Sequence, residues 1–429
     1  MRDGPDGPSL WCEDVPLETI ADAVGTPVYV YSSATLRRHY GVFRDAFAPY
    51  SATLGEPLIA YAVKANGNVA VLSTLAREGA GADTVSEGEI RRALAAGVAP
   101  SRIIFSGAGK TSAELAFAVT AGVGQLNVES KPELDRLEAV AAATGTQPAV
   151  AFRITPDIAS AGGHAKISTG SSHNKFGVSM SEAERLYARA AASPHLRPLG
   201  LACHIGSQIT DLAPLERAYG VMRGLVVRLR AQGLPVERLD LGGGLGVPYF
   251  DEVSPPSPAD LAQMTARAVG GLGVELAFEP GRLIVANAGV LLSAVVHVHE
   301  RQDGPRFLVL DAGMNDLLRP AMYDAWHHVR PLRPGPDDAE TVPYDIVGPV
   351  CETGDTFGRN RPLPRLTAGQ RVAFMTAGAY GSVMASEYNA RPLVPEVLVD
   401  GDRWAVVRPR PSYDEMLARE RPAPWLAEA

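Results

Sequence analysis

Between residues 57 and 278 the chain repeats one rhythm eight times: a short apolar run, a turn bearing Gly or Ser, then a segment of helical period. The apolar runs fall at 57–65, 81–85, 102–106, 125–129, 148–154, 197–205, 238–241 and 274–278, with helical segments between them, among them 87–97, 111–122, 131–144, 181–192, 212–232 and 259–271. Strands that alternate with helices pair in parallel, because each crossover has room for a helix. Eight such units within about 225 residues predict an α/β fold, a (β/α)8 TIM-like barrel. The competing arrangement is an open Rossmann-type sheet, whose fingerprint is missing. In GGGLGVPY, 242–249, Val247 stands where a G-x-G-x-x-G motif starting at Gly242 needs its last glycine.

The texture changes after residue 282. Gly289–His299, Arg306–Asp311, Arg371–Met375, Glu396–Val399 and Trp404–Val407 read as strands separated by turns rich in Pro, Gly and Asp. A mainly β C-terminal domain is expected, joined by the N-terminal strand Val28–Tyr31. After that strand, Ser32 or Ser33 caps a helix through Leu36, Tyr40, Phe43 and Phe47. The division assigns 33–282 to the barrel and 1–32 with 283–429 to the β domain. The Pro-rich segment 331–343 reads as a surface loop and the tail RPAPWL as poorly ordered.

Within the first apolar run, PLIAYAVKAN at 57–66, Lys64 is out of place: a buried strand rarely carries an ammonium. The chain holds five lysines against 35 arginines, so charge alone would have selected arginine. Lysine differs in one respect, since its amine can form a Schiff base with an aldehyde once desolvation lowers its pKa. A salt-bridged lysine at a strand end is the alternative that this stretch leaves open.

The C-terminal ends of barrel strands face one site, so they are read together. They bring Lys64, Asp83 and Ser86, then His204, Gly206, Ser207 and Gln208, then Gly242, Gly243 and Gly244, and finally Glu279, Pro280, Gly281 and Arg282. Glycines after the seventh strand and a Pro-Gly turn after the eighth lie where barrels commonly bind phosphate through bare N–H groups. A lysine, a phosphate site and a carboxylate together specify pyridoxal 5′-phosphate. Singly, each has a plainer reading. The glycines could form a tight turn, Glu279 could pair with Arg282, and His204 could be a satisfied core histidine. His297 and His299 alternate on a strand, and His327-His328 falls in a helix-like stretch without partners at ligand spacing, so no metal is expected.

Other classes are disfavoured by bulk properties. A net charge of -8 with no basic block argues against nucleic acid or an anionic membrane surface, and no apolar run approaches a membrane span. Cys12, Cys203 and Cys351 are too scattered for a disulfide framework or a zinc motif, and the opening MRDGPDGPSLW has no signal core, so a cytoplasmic location is expected.

YAVKAN, HIGSQ, GGGLGVPY, EPGR, NDLLRPAMYDAWH, VCETGD and GAYGSVMASEYNARP, in this order from about residue 10 to Leu426, resemble the diaminopimelate decarboxylases. These are pyridoxal-phosphate enzymes with an alanine racemase-like barrel and a β domain. The resemblance implies a homodimer with active sites built across the subunit interface. It makes Lys64 the Schiff-base lysine, His204 the ring stacked on the cofactor and Glu279 the partner of the pyridine nitrogen. Phosphate would be held by Ser207, Gly242–Gly244, the Gly281-Arg282 backbone and Tyr380. Cys351 would be the proton donor from the neighbouring subunit. The substrate's distal carboxylate would meet Arg282, Arg319 and Tyr323, and its ammonium Glu352, which suits a second amino-acid head. The implied reaction is decarboxylation of meso-2,6-diaminopimelate to L-lysine. A decarboxylase of ornithine, arginine, D-lysine or a carboxylated polyamine is the nearest competitor, and Arg319 with Tyr323 argues against it. An alanine racemase or a non-catalytic pyridoxal-phosphate carrier would leave the polar motifs after residue 282 unexplained. The sequence departs from the family at Ala159–Gly163, in the segment 157–177 that resembles its mobile loop, at Cys203, and at Thr353 in place of serine.

Overall fold

A computed structural model of the chain describes residues 2–4, 7–158, 176–249, 254–335 and 340–426. The departure expected at Ala159–Gly163 lies outside them. The chain divides into two compact units, Thr35–Ala286 and Met1–Ala34 with Asn287–Ala429.

The first unit is a closed barrel of eight parallel strands: β1 (Leu58–Ala62), β2 (Gly81–Thr84), β3 (Ile103–Phe105), β4 (Gln125–Val128), β5 (Ala149–Ile154), β6 (Arg197–Cys203), β7 (Arg238–Asp240) and β8 (Glu275–Phe278). Closure through the β8–β1 pairing excludes the open sheet. Every residue of β1 to β4 is buried, because helices cover the outer face while neighbouring strands fill the inner one. Leu58, Ala60, Ile104 and Ala277 form an apolar cluster within it. On the outer face, Phe43 and Phe47 pack against Phe278 with ring centroids 5.9 and 4.6 Å apart.

Helix starts are dictated locally. Ser86, Thr111, Ser130, Ser179 and Ser257 each sit at a helix N-cap, and each hydroxyl accepts the N–H three residues on. In every case that third residue is acidic, which suits the positive end of the helix.

The loop after β3 is fastened to the start of the helix after β4 by a buried ion pair, Lys110 Nζ to Glu133 Oε1 at 2.6 Å, with both side chains 1% exposed. The ammonium also donates to the carbonyls of Gly107 and Asn127 at 2.7 Å each. Glu133 Oε2 accepts the Glu129 N–H at 3.1 Å, so each charge has several partners and its burial is tolerated.

The second unit carries a nine-stranded sheet among the described residues. Gly289–Glu300 is its spine, pairing with Val28–Ser32, Arg371–Phe374 and Arg306–Leu310. Val28–Ser32 is flanked on its other side by Glu396–Asp400, so the N-terminal strand lies inside the sheet. All five of its residues are buried.

Two expectations fail here. The segment 331–343 is not simply a loop: Val329–Pro331 pairs with Arg371–Phe374, and Thr341–Val347 pairs with Thr356–Pro364. Prolines argued against strands there, yet Pro343 faces Pro362 in an edge pairing where missing N–H groups are tolerated. Nor are His327 and His328 helical, since the short helix Arg319–Tyr323 stops at Asp324, whose φ is 51°. The tail through Leu426 forms a 3-10 turn, Pro424–Leu426.

Removing one partner of the buried pair strands the other charge. Lys110→Met is expected to lower stability by about 3–5 kcal/mol, read as a fall in the urea midpoint; an unchanged midpoint would show that the pair is dispensable.

Candidate active site

The mouth of the barrel is made by the residues that follow its strands. The β1–β2 ladder ends at Ala62 opposite Asp83, and the chain then turns through the 3-10 segment Val63–Ala65. The strand is therefore shorter than the expected 57–65, and Lys64 stands on the turn beyond it. Its ammonium lies 2.9 Å from Asp83 Oδ2. Asp83 is fully buried, and its Oδ1 has no hydrogen-bond partner among the described residues. Ser86 is spent as a helix cap.

His204 follows β6 directly. Its Nδ1 accepts the Gly243 N–H at 3.2 Å, which leaves the ring proton on Nε2. Burial, then the charges of Lys64 and Arg153, hold its pKa well below the usual value, so the imidazole is neutral. Glu279 follows β8 and is buried. Burial, then Asp240 and Asp83, hold its carboxyl well above the usual range. Asp240 closes β7: burial pushes it up to about 6, against the pull of the Gly242 N–H 3.0 Å from Oδ1. Its Oδ2 accepts from Gln125 Nε2 at 3.1 Å.

These groups border a cavity of about 400 Å³, lined by Lys64, His204, Glu279 and Arg153 with the Ser106–Gly109 loop and Phe176. Arg153 is held by Glu129 at 3.0 Å and lies over the Phe176 ring at 4.7 Å. Glu89, half-buried behind Asp83, is pushed up to about 7, chiefly by burial.

The glycine run departs from expectation. Gly242 and Gly243 were to offer N–H groups to an anion, but those groups are already spent on Asp240 and His204. What the run supplies is space. A Cβ on Gly243 would fall 2.1 Å from the Glu279 carbonyl oxygen, and Gly244, at φ +118°, would clash at 2.3 Å with that of Gly206. Pro280 and Gly281 continue the rim, the Pro280 carbonyl accepting the Ala62 N–H at 3.1 Å. The Arg282 side chain turns to Ser207 Oγ, at 3.0 and 3.2 Å, and to Tyr249 OH at 2.9 Å.

This donor set fits pyridoxal phosphate. There is an amine for an aldehyde, a carboxyl that holds a proton for a ring nitrogen, and a neutral flat ring. A hydroxyl, a guanidinium and backbone stripped of side chains suit a phosphate. Arg153, Asp240, Glu89 and Tyr249 were not singled out from sequence. Arg153 carried the same signal as Lys64, a lone cation near the end of an apolar run, and Tyr249 stands within GGGLGVPY.

The remaining expected residues belong to the β unit. Arg319 and Tyr323 stand one helical turn apart on Arg319–Tyr323, with Arg319 buried. Cys351 and Glu352 are exposed on a turn, and the Cys351 N–H donates to Asn389 Oδ1 at 2.8 Å. That turn is tied to the Gly313–Asp316 segment by Asp355, whose carboxylate takes the Val350 and Met314 N–H groups at 2.6 Å each. Tyr380 is half-buried and holds a left-handed φ of 56°. Among the described residues, no group of His, Cys, Asp and Glu could hold a metal ion.

Residues 36–286 match the model of the pyridoxal-dependent decarboxylase, pyridoxal binding domain. A diaminopimelate decarboxylase of Zymomonas mobilis is 47% identical over 97% of this chain and 98% of its own. The crystal structure of the Helicobacter pylori diaminopimelate decarboxylase complexed with L-lysine superposes with a TM-score of 0.88, at 39% identity over 94% of this chain and 98% of that one. The M. jannaschii diaminopimelate decarboxylase in co-complex with L-lysine gives a TM-score of 0.90, at 36% identity over 95% of each chain.

The acids at the mouth give a pH dependence of defined sign. A carboxyl whose folded pKa is raised binds more protons in the folded state, so its contribution to stability falls as pH rises from the unfolded value near 4 through about 6 for Asp240. Cofactor-free Asp240→Asn is expected to lose less stability than wild type across that window, measured by urea midpoints at stepped pH. Parallel pH profiles would show that Asp240 carries none of it.

Proposed function

The chain belongs to the diaminopimelate decarboxylase family of pyridoxal-dependent decarboxylases, and from that membership we infer its reaction and the residues that perform it. It is a pyridoxal-phosphate-dependent decarboxylase that converts meso-2,6-diaminopimelate to L-lysine and CO2, the last step of lysine biosynthesis. The observation that carries the reading is Lys64, paired with Asp83 at 2.9 Å, bordering one cavity with Glu279 and His204.

Lys64 would hold the carbonyl carbon of the cofactor. Glu279 would face its ring nitrogen and His204 one ring face, while Ser207, Gly244 and the Gly281-Arg282 backbone, with Tyr380, would hold the phosphate. When bound, the cofactor supplies an electron sink for the pair of electrons left by departing CO2. Asp83 balances the Lys64 ammonium. Neutral His204 adds no positive charge beside a ring that must stay protonated. Arg153, balanced by Glu129, adds positive potential at the cavity wall. A proton must replace the lost carboxylate at the α-carbon, and we assign that donation to the Cys351 thiol.

Specificity rests on the second amino-acid head. Arg319, with Tyr323 and Arg282, would take its carboxylate, and Glu352 its ammonium. Ornithine, arginine and D-lysine lack that head, which makes them poor substrates. We further propose a homodimer in which Cys351 reaches the barrel of the partner, and a cytoplasmic setting. The three cysteines, none in a disulfide, are compatible with that setting.

A panel of meso-diaminopimelate, L-ornithine, L-arginine and D-lysine tests the substrate: CO2 release from the first alone is expected, and preference for another would overturn the specificity assignment. Lys64→Ala is expected to abolish both turnover and the visible absorption of the bound cofactor. Cys351→Ala is expected to slow kcat about 10²- to 10⁴-fold, the usual worth of a positioned acid. Mixing Lys64→Ala and Cys351→Ala dimers should restore about a quarter of wild-type activity if sites are shared, because half the reassorted dimers carry one intact site. No recovery after proven subunit exchange would place both residues on one chain's site.

A further inference from the structure

The segment that follows the proposed distal-head helix contains a histidine to which no role has been given. His327 is 1% exposed. Its Nε2 lies 2.8 Å from Nη1 of Arg319, and its Nδ1 lies 2.9 Å from the backbone carbonyl of Met375. A carbonyl only accepts and a guanidinium only donates, so Nδ1 carries the ring proton and Nε2 receives the Arg319 N–H. Both contacts require a neutral imidazole.

The ring is fixed from three directions. The left-handed residue Asp324 ends the helix and turns the chain back. Val329–Pro331 then pairs with Arg371–Phe374, and the Met375 N–H donates to the His328 carbonyl at 2.8 Å, which sets the carbonyl that Nδ1 meets. Arg361, itself buried, donates to the His327 carbonyl at 2.7 Å with its guanidinium 3.2 Å from the centre of the Trp326 ring.

A carboxylate in the place of the imidazole would fix Arg319 equally well, but it would cancel the charge of the guanidinium and compete with an incoming carboxylate. A neutral ring orients the guanidinium through one N–H and leaves its charge intact. We propose that His327 is a positioning residue that aims Arg319 at the carboxylate of the substrate's distal amino-acid head, and so sets the preference for a substrate carrying that head. This rests on the assignment of Arg319 to that carboxylate.

Two substitutions separate aiming from support. The amide of Gln reaches the place of Nε2, and that of Asn the place of Nδ1. His327→Gln therefore keeps an acceptor for Arg319 and gives up the Met375 carbonyl, whereas His327→Asn does the reverse. In the holoenzyme, His327→Asn is expected to raise KM for meso-diaminopimelate and the Kd of L-lysine, measured by calorimetry, together by about ten- to hundredfold, the usual worth of a hydrogen bond to a charged group. Its kcat should change much less, and His327→Gln should stay within a few-fold of wild type in all three. Equal effects, or a larger effect for His327→Gln, would overturn the proposal and leave His327 a support for the strand. Arg319→Ala distinguishes the underlying assignment. If it leaves KM and L-lysine affinity unchanged, Arg319 does not read the carboxylate. If it weakens both while His327→Asn does not, only the aiming role fails. In the double variant, His327→Asn should add nothing to Arg319→Ala, and additive losses would again reject action through Arg319.

Discussion

Closing eight parallel strands into a barrel gathers at one end the acids that this sequence places near three of the strand ends. Asp83, Asp240 and Glu279 follow or end three different strands, and all three are buried. Lys64 and Arg153 are the cations facing them. Burial, and after it the neighbouring acids, raise the pKa values of Asp240 and Glu279, which expresses the cost of burying so much negative charge. A ligand bearing a positive ring nitrogen relieves it.

Much of this arrangement was legible because it rests on period and on residues that violate their surroundings. The eightfold rhythm places the strands. Lys64 was conspicuous as an ammonium in an apolar run. Arg153 met the same criterion, but its role depends on Glu129, whose proximity only the closed barrel creates. The glycine run shows the opposite error. Three consecutive glycines suggest unspent N–H groups, but the fold uses two of them internally and keeps the absence of side chains as the useful property.

The β unit was harder to read for a related reason. Its strands Thr341–Val347 and Thr356–Pro364 contain prolines, which local rules count against pairing; they fit because Thr356–Pro364 is the edge strand and Pro343 precedes the part of Thr341–Val347 that pairs on its other side. Its motif segments likewise acquire meaning through distant partners. Asp355 ties the turn carrying Cys351 to the segment before Arg319, and His327 meets Arg319 only because a left-handed residue reverses the chain. Such links join side chains to backbone groups across loops, and no periodicity announces them.

The central position of Val28–Ser32 has a further implication for how the chain is made. Its sheet neighbours are Gly289–Leu292 and Glu396–Val399, so a strand made before the barrel finds no partner in its sheet until more than 250 residues have followed it. The barrel, whose neighbouring strands lie mostly one helix apart in sequence, can assemble during that interval. The apolar strand VYVYS meanwhile stays unpaired and open to wrong partners. Vectorial synthesis thus lets the barrel form before the sheet, whose central strand must wait for Gly289–Leu292 and Glu396–Val399.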